Sequence, residues 1–167
     1  MRHLATAAIT LLLASCGFRP LHQAATPIGA DSPLRSVAVT TSTGDDSETK
    51  RVAFDLANAL RERLGEPEGP PRYRLRLTPT AFRTPLATGR NDVASRFDLN
   101  ISVTYELTDA VSGEQLATDL VYSTATFGAP FDPYGSLAAQ LDAAEQGADA
   151  AADRIVSDLA LHFADTP

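Results

Sequence analysis

The sequence predicts an α+β domain: a four-stranded mixed β-sheet with two amphipathic helices packed on one face, in the order β-α-β-β-β-α. Three observations lead there. Residues 97–107 alternate without a break, with Phe97, Leu99, Ile101, Val103, Tyr105 and Leu107 apolar and Asp98, Asn100, Ser102, Thr104 and Glu106 polar. A strict period of two means a long strand with one dry face and one wet face. Two other stretches carry apolar residues at helical spacing, Ala53 to Leu64 and Leu137 to Phe163, and each must bury its stripe against a sheet. A helix also separates the first strand from the second, which calls for a parallel pairing, whereas short turns join the later strands.

The elements follow in order. Residues 17–35 hold three prolines and little periodicity, which suits a tether. Val37 and Val39 lie on one side of a short strand over Ser36 to Thr41. Gly44-Asp45-Asp46 then turns into a helix, with Asp45 and Glu48 three residues on fitting a capping-box-like start and Asp46 a close competitor for the cap. Ala53, Leu56, Ala57, Leu60 and Leu64 form its stripe, Arg61 and Arg63 favour its C-terminal end, and Gly65 closes it. After the Pro67–Pro71 loop, Tyr73, Leu75 and Leu77 alternate with Arg72, Arg74 and Arg76, in a strand continuing past Pro79 to Phe82. Pro85 to Asp92 reads as a loop with turn residues Gly89 and Asn91. The long alternating strand follows. Asp109 to Gly113 then forms a hairpin turn, and Glu114 to Phe127 returns antiparallel. The facing of that last strand stays open, because Leu116, Leu120 and Tyr122 oppose Val121, Ala125 and Phe127. Ser136 is placed to cap the final helix, whose stripe is Leu137, Leu141, Ala144, Ala148, Ala152, Ile155, Leu159 and Phe163.

Composition narrows the function. The chain has 167 residues and a formal net charge of -7, which argues against nucleic-acid binding. A single cysteine excludes an internal disulfide and a cysteine-based metal cluster. No nucleophile elbow, metal-ligating histidine pair or glycine-rich phosphate loop occurs. The pattern points away from catalysis: no catalytic residue, metal or enzyme activity is expected.

The N-terminus carries an address. Met1-Arg2-His3 is basic, Leu4 to Leu13 is apolar, and Leu13-Ala14-Ser15-Cys16 ends in small residues before the cysteine. These are the parts of a secretory signal peptide, and Leu-Ala-Ser-Cys resembles the bacterial lipobox. That resemblance implies a signal peptide over residues 1–15 and an acylated tether over 16–35. It further implies an S-diacylglycerol and an N-acyl chain on Cys16 as the only attached group, with no other cofactor. Gly17 after Cys16 points by resemblance to the outer membrane, periplasmic side. A domain over 36–167 follows.

Several further features converge. They are Cys16-Gly17-Phe18-Arg19-Pro20-Leu21, the strand-helix-meander-helix order, and Tyr105-Glu106-Leu107-Thr108-Asp109 before Ser112-Gly113. The alanine- and acid-rich last helix, from Leu141-Asp142-Ala143-Ala144-Glu145 to Leu159, completes them. Together they resemble the LptE family of lipopolysaccharide-assembly lipoproteins, with His22 standing where that family commonly has tyrosine. The resemblance implies a protein that sits inside an LptD-type outer-membrane β-barrel, assists its assembly, and binds lipopolysaccharide on its way to the outer leaflet. A wide barrel has a watery interior, so a plug with a polar surface and a dry core fits it. An auxiliary lipoprotein of another envelope lipid-transport or secretion system is the alternative.

Two sets of residues are candidates for contact. Arg72, Arg74, Arg76, Arg83, Arg90 and Arg96 gather within twenty-five positions of an otherwise acidic chain. Their guanidinium forks suit a lipid phosphate, and a solvated face balanced by Asp98 and Glu106 is the plainer reading. Phe18, Arg19, Pro20 and Leu21, next to the anchor, are candidates for docking on the barrel.

Overall fold

The computed structural model describes residues 32–88, 94–129 and 132–165. These residues form the expected order: β1 (Val37–Thr41), α1 (Ser47–Leu64), β2 (Tyr73–Thr88), β3 (Ala94–Asp109), β4 (Gln115–Gly128) and α2 (Pro133–Asp165). The strands lie side by side in chain order, β1 parallel to β2 and the others antiparallel. A 3-10 turn over Pro33–Ser36 precedes β1 and buries Leu34.

The dry face is the one the alternation predicts. Leu75, Leu77, Leu99, Ile101, Val103, Tyr105 and Leu107 are buried beneath Leu56 and Leu60 of α1 and Ala148, Ile155 and Leu159 of α2. Among the described residues the opposite sheet face carries no helix. β4 settles its own ambiguity through a register shift. Leu107 pairs with Ala117 but Thr108 pairs with Gln115, so one residue is extra between them. Both Leu116 and Ala117 rest against the core there. Beyond the shift Val121, Ala125 and Phe127 point inward while Leu120 and Tyr122 point out. A β-bulge changes the phase of a strand, and that is why one alternation could not fit all of β4.

Four local expectations change. β2 runs to Thr88 and not to Phe82, so residues 85–88 are strand where a loop was expected. Pro79 and Pro85 lie in its interior and do not stop it. The carbonyl of Leu77 is turned toward β1, where it accepts from the Ser42 N–H. Alternation then turns positions 79 and 85 the same way, so each proline lacks only an N–H that would have faced past the end of β1. Asp132, not Ser136, caps α2, its Oδ2 accepting from the Gly135 N–H at 2.7 Å. Leu137 and Leu141, expected in the buried stripe, are 54% and 37% exposed, because they line an open cleft against the start of α1. The cap of α1 is Asp46 and not Asp45: its Oδ1 accepts from the Thr49 N–H at 2.8 Å, while the Glu48 carboxylate turns to Gln140 and Arg83.

α1 ends as its sequence requires, with Gly65 at φ 77° donating its N–H to Arg61, a backbone conformation that favours glycine. Arg63 does more than complement the helix end. Its guanidinium joins Asp149 at 3.2 Å and Asp153 at 2.7 Å, one turn apart on α2. α2 also comes very close to the sheet. A Cβ on Gly147 would stand 2.5 Å from Ile101 Cδ1, and the Gly147 carbonyl accepts from the buried Ser123 hydroxyl at 2.7 Å.

Two outcomes follow from this packing. Gly147→Ala gains helix propensity of roughly 1 kcal/mol but overpacks the contact at a cost of about 1–3 kcal/mol. It should therefore lower the denaturant midpoint, and adding Ile101→Val should give a double variant more stable than the sum of its parts by roughly 1 kcal/mol. The second concerns the cap. The Thr49 backbone N–H and hydroxyl hold the Asp46 carboxyl below its ordinary value. Its contribution is complete above the ordinary carboxylate range and is lost as pH falls through the lowered value. Asp46→Ala should lower the thermal midpoint at pH 7, and the gap to wild type should close on acidification.

Candidate functional site

The sheet face opposite the helices is open to solvent among the described residues, and the register lays out its chemistry. At one end stand Arg74, opposite Thr108, and Arg76, opposite Glu106. Moving along the strands come Thr78, Thr104 and Leu120, then Thr80, Ser102 and Tyr122, then Phe82, Asn100 and Thr124, then Thr84, Asp98 and Thr126. Hydrogen bonds knit the polar rows across strands: Asn100 Nδ2 donates to Thr84 Oγ1 at 3.1 Å, and the Thr126 hydroxyl donates to Asp98. Threonine favours strands and keeps this face wet.

The structure divides the candidate arginines. Arg74 and Arg76 at the start of β2 and Arg72 just before it are exposed. The Arg72 guanidinium sits 5.3 Å from the Tyr73 ring centroid, a cation–π contact. It also faces Asp109, whose carboxyl is held below its ordinary value by the Ser112 and Val111 N–H groups first, then by the Ser112 hydroxyl and Arg72. Arg76 meets Glu106 across the strands at 3.7 Å while its side chain stays 72% exposed. Among the described residues, Arg74 has no carboxylate partner.

The others do not join them. Arg83 pairs with Leu99 in register and so belongs to the helix side, where it forms an ion pair with Glu48 of α1. Arg96 shares the open face but lies opposite Ala87, ten positions along β3 from Glu106, or roughly 34 Å away. One phosphate cannot span that distance. Arg90 lies outside the described residues, as do Cys16, Phe18, Arg19, Pro20, Leu21 and the whole signal segment.

Two features escaped the sequence reading. Phe82, Leu120 and Tyr122 are 55%, 43% and 61% exposed on the wet face. Phe82 was detectable as an aromatic residue in the polar phase of β2, whereas Leu120 and Tyr122 needed the shift at Leu116 to be placed. The second is a cleft of about 270 Å³ between the start of α1 and α2, with Leu99 as its floor and Leu137, Leu141 and Ala144 on one wall. Glu48 rims it, accepting from Gln140 Nε2 at 3.0 Å as well as pairing with Arg83. Of the acidic residues at 45–48, Asp46 is thus spent on capping and Glu48 on joining α1, α2 and β2. Among the described residues no cluster of ligating side chains could hold a metal ion, and no helix is long and apolar enough to cross a membrane.

Comparison with known proteins places this architecture. A family model described as LptE, lipopolysaccharide-assembly, matches residues 34–161. Among solved structures the chain is similar to a protein described as a lipoprotein of Caulobacter crescentus CB15, with 28% identity, a TM-score of 0.65, and coverage of 81% of this chain and 95% of that one. It also shares its fold with rare lipoprotein B from Shewanella oneidensis at 17% identity and a TM-score of 0.54, covering 77% of this chain and 96% of that one. A third likeness is an uncharacterised lipoprotein B from Nitrosomonas europaea, at 14% identity and a TM-score of 0.56, covering 77% and 84%. No curated protein sequence gives a significant match.

Proposed function

The chain belongs to the LptE family of lipopolysaccharide-assembly proteins, and from that premise we propose that it is a non-catalytic lipoprotein of the outer membrane. It is anchored on the periplasmic side by lipid on Cys16, partners an LptD-type β-barrel, assists that barrel's assembly and binds lipopolysaccharide during delivery to the outer leaflet. The observation that carries this reading is the extent of the family match: residues 34–161 run from the buried Leu34 to the last turn of α2, taking in every described strand, all of α1 and most of α2.

The physical chemistry supports such a role. A protein housed in a water-filled barrel needs hydrogen-bonding groups on its outside and a core that holds without its partner. The threonine, serine and asparagine rows of the open face supply the first, and the two-helix layer supplies the second. Arg72, Arg74 and Arg76 supply planar donors at one end of that face, where a lipid phosphate can accept from more than one guanidinium. Three acyl chains on Cys16 would hold the protein durably, since one chain alone anchors only marginally.

The direct test is affinity isolation of the acylated protein from detergent-solubilised outer membrane, with mass spectrometry of what accompanies it. An LptD-type barrel is expected. Recovery of a different lipid-transport or secretion component in its place would overturn the assignment of partner. Cys16→Ala should abolish labelling with radioactive palmitate and signal cleavage. Reversing charge at Arg74 and Arg76 together should weaken lipopolysaccharide binding by roughly tenfold and leave the circular-dichroism spectrum unchanged. Unaltered binding would assign both arginines to plain surface.

A further inference from the structure

The sheet has two margins, and they are treated very differently. Along β2 beyond the end of β1, the outward positions are Pro79 and Pro85, which have no N–H, Ala81, whose N–H donates to the buried Thr49 hydroxyl at 3.1 Å, and Arg83, whose side chain pairs with Glu48 of α1. Two prolines and one bonded N–H interrupt that margin against strand pairing. β4 forms the other margin. On β3 the Asp109 N–H donates to Glu114, so odd-numbered residues of β3 bond toward β4. The odd residues of β4 answer them in the paired register. Thr118, Leu120, Tyr122, Thr124 and Thr126 therefore turn N–H and C=O outward.

This second margin contains no proline and no lysine, and its register is even from Ala117 to Gly128. Two of its outward groups are met by single side chains. Asp119 Oδ1 accepts from the Leu120 N–H at 2.7 Å, and Arg154 of α2 donates to the Tyr122 carbonyl. A carboxylate acceptor and a guanidinium donor thus stand where a neighbouring strand would place its own C=O and N–H. Among the described residues no side chain meets the outward backbone groups of Thr124 or Thr126.

Beside the margin runs an open groove of about 440 Å³, bounded by Leu120 and Tyr122 on one side and by Asp153, Arg154, Ser157 and Asp158 of α2 on the other. Its charges are unevenly matched. Asp153 is engaged by Arg63, and Arg154 is the groove's own cation. Asp119 and Asp158 remain, close enough to repel: burial and then Asp119 push the Asp158 carboxyl above its ordinary value, with Arg154 pulling it down. The same two carboxylates, after burial, help push the Tyr105 hydroxyl up to about 12. On the outer side of the margin Leu120 and Tyr122 stand largely in water.

We propose that β4 receives an extended peptide segment as a fifth strand, and that the segment alternates basic with apolar side chains. Its backbone takes over the groups now met by Asp119 and Arg154 and adds bonds at Thr124 and Thr126. Side chains on its inner face enter the groove, where a cation relieves the Asp119–Asp158 repulsion. Those on its outer face cover Leu120 and Tyr122. This surface is separate from the arginine end of the open face and stands independently of lipopolysaccharide binding.

The test uses the full lipid-anchored chain in detergent and a fluorescent octapeptide of alternating lysine and valine with blocked termini. The peptide should bind, slow amide exchange at Leu120, Tyr122 and Thr124, and bind at least tenfold more tightly than its glutamate–valine counterpart. Thr124→Pro removes an outward N–H while leaving the β3–β4 ladder intact, so it should abolish binding. The Asp119→Asn, Asp158→Asn double variant should weaken it. Should Thr124→Pro fail to fold, a peptide N-methylated at alternate residues gives the same check on the wild-type chain and should not bind. Equal binding of both charge types, undiminished binding to Thr124→Pro or by the N-methylated peptide, or exchange protection away from β4 would overturn the proposal. So would self-association that Thr124→Pro prevents, because the occupant would then be a second copy of the chain.

Discussion

Burial of one side of β3 is the constraint on which the rest of this structure depends. Leu99, Ile101, Val103, Tyr105 and Leu107 are all at most 4% exposed, and a slip of one residue would drive Asp98, Asn100 and Glu106 into the same layer. That would leave charges without water or partners, at a cost no surface contact offsets. Because β3 is central, its phase also dictates the phase of β2 and β4 through the paired register. The position of every outward side chain, including the arginines at one end and the aromatic residues further along, is inherited from this strand.

The two helices complete the layer by different means. α1 contributes bulk, with Val52, Leu56, Leu60 and Leu64 fully buried. α2 contributes proximity: Ala144, Ala148, Ala151 and Ala152 carry little volume, so its backbone lies close enough for Gly147 to touch Ile101 and accept from Ser123. Small residues here are a geometric requirement, since a large side chain in this stripe would lift the helix from the sheet. The Arg63 fork to Asp149 and Asp153 fixes the two helices against each other at the rim of this alanine contact, in a partly exposed setting where it serves orientation more than stability.

The fold was legible because its strongest signals are periodic. Strict alternation identified β3, the stripe Ala53 to Leu64 identified α1, and the helix between the first two strands required a mixed sheet. What sequence left open depends on non-local facts. The facing of β4 turned on one extra residue near Leu116, which has no signature of its own. The length of β2 turned on whether Pro79 and Pro85 faced a neighbour, which is known only once β1 is seen to end at Thr41. The arginines looked like one group because they are near in sequence. Arg83 differs in phase and Arg96 comes back on the far side of a long hairpin, so proximity along the chain became separation in space. Phe82 was a visible anomaly in an otherwise polar phase, and such anomalies are where a surface has a use beyond being wetted.

The crowding of α2 against the sheet at Gly147 has a consequence for how the molecule loosens. From that point to Leu159 the helix is gripped by Ile101, Ser123 and the aliphatic floor, whereas Tyr134, Leu137 and Leu141 in its opening turns have little above or beside them. Opening of a helix begins where fewest apolar contacts must be broken. Unwinding of α2 should therefore travel from Pro133 toward the buried Ala143 and Ala144 and stall as it nears Gly147, giving one element a labile leading end and a durable trailing part, with the border set by its smallest side chains.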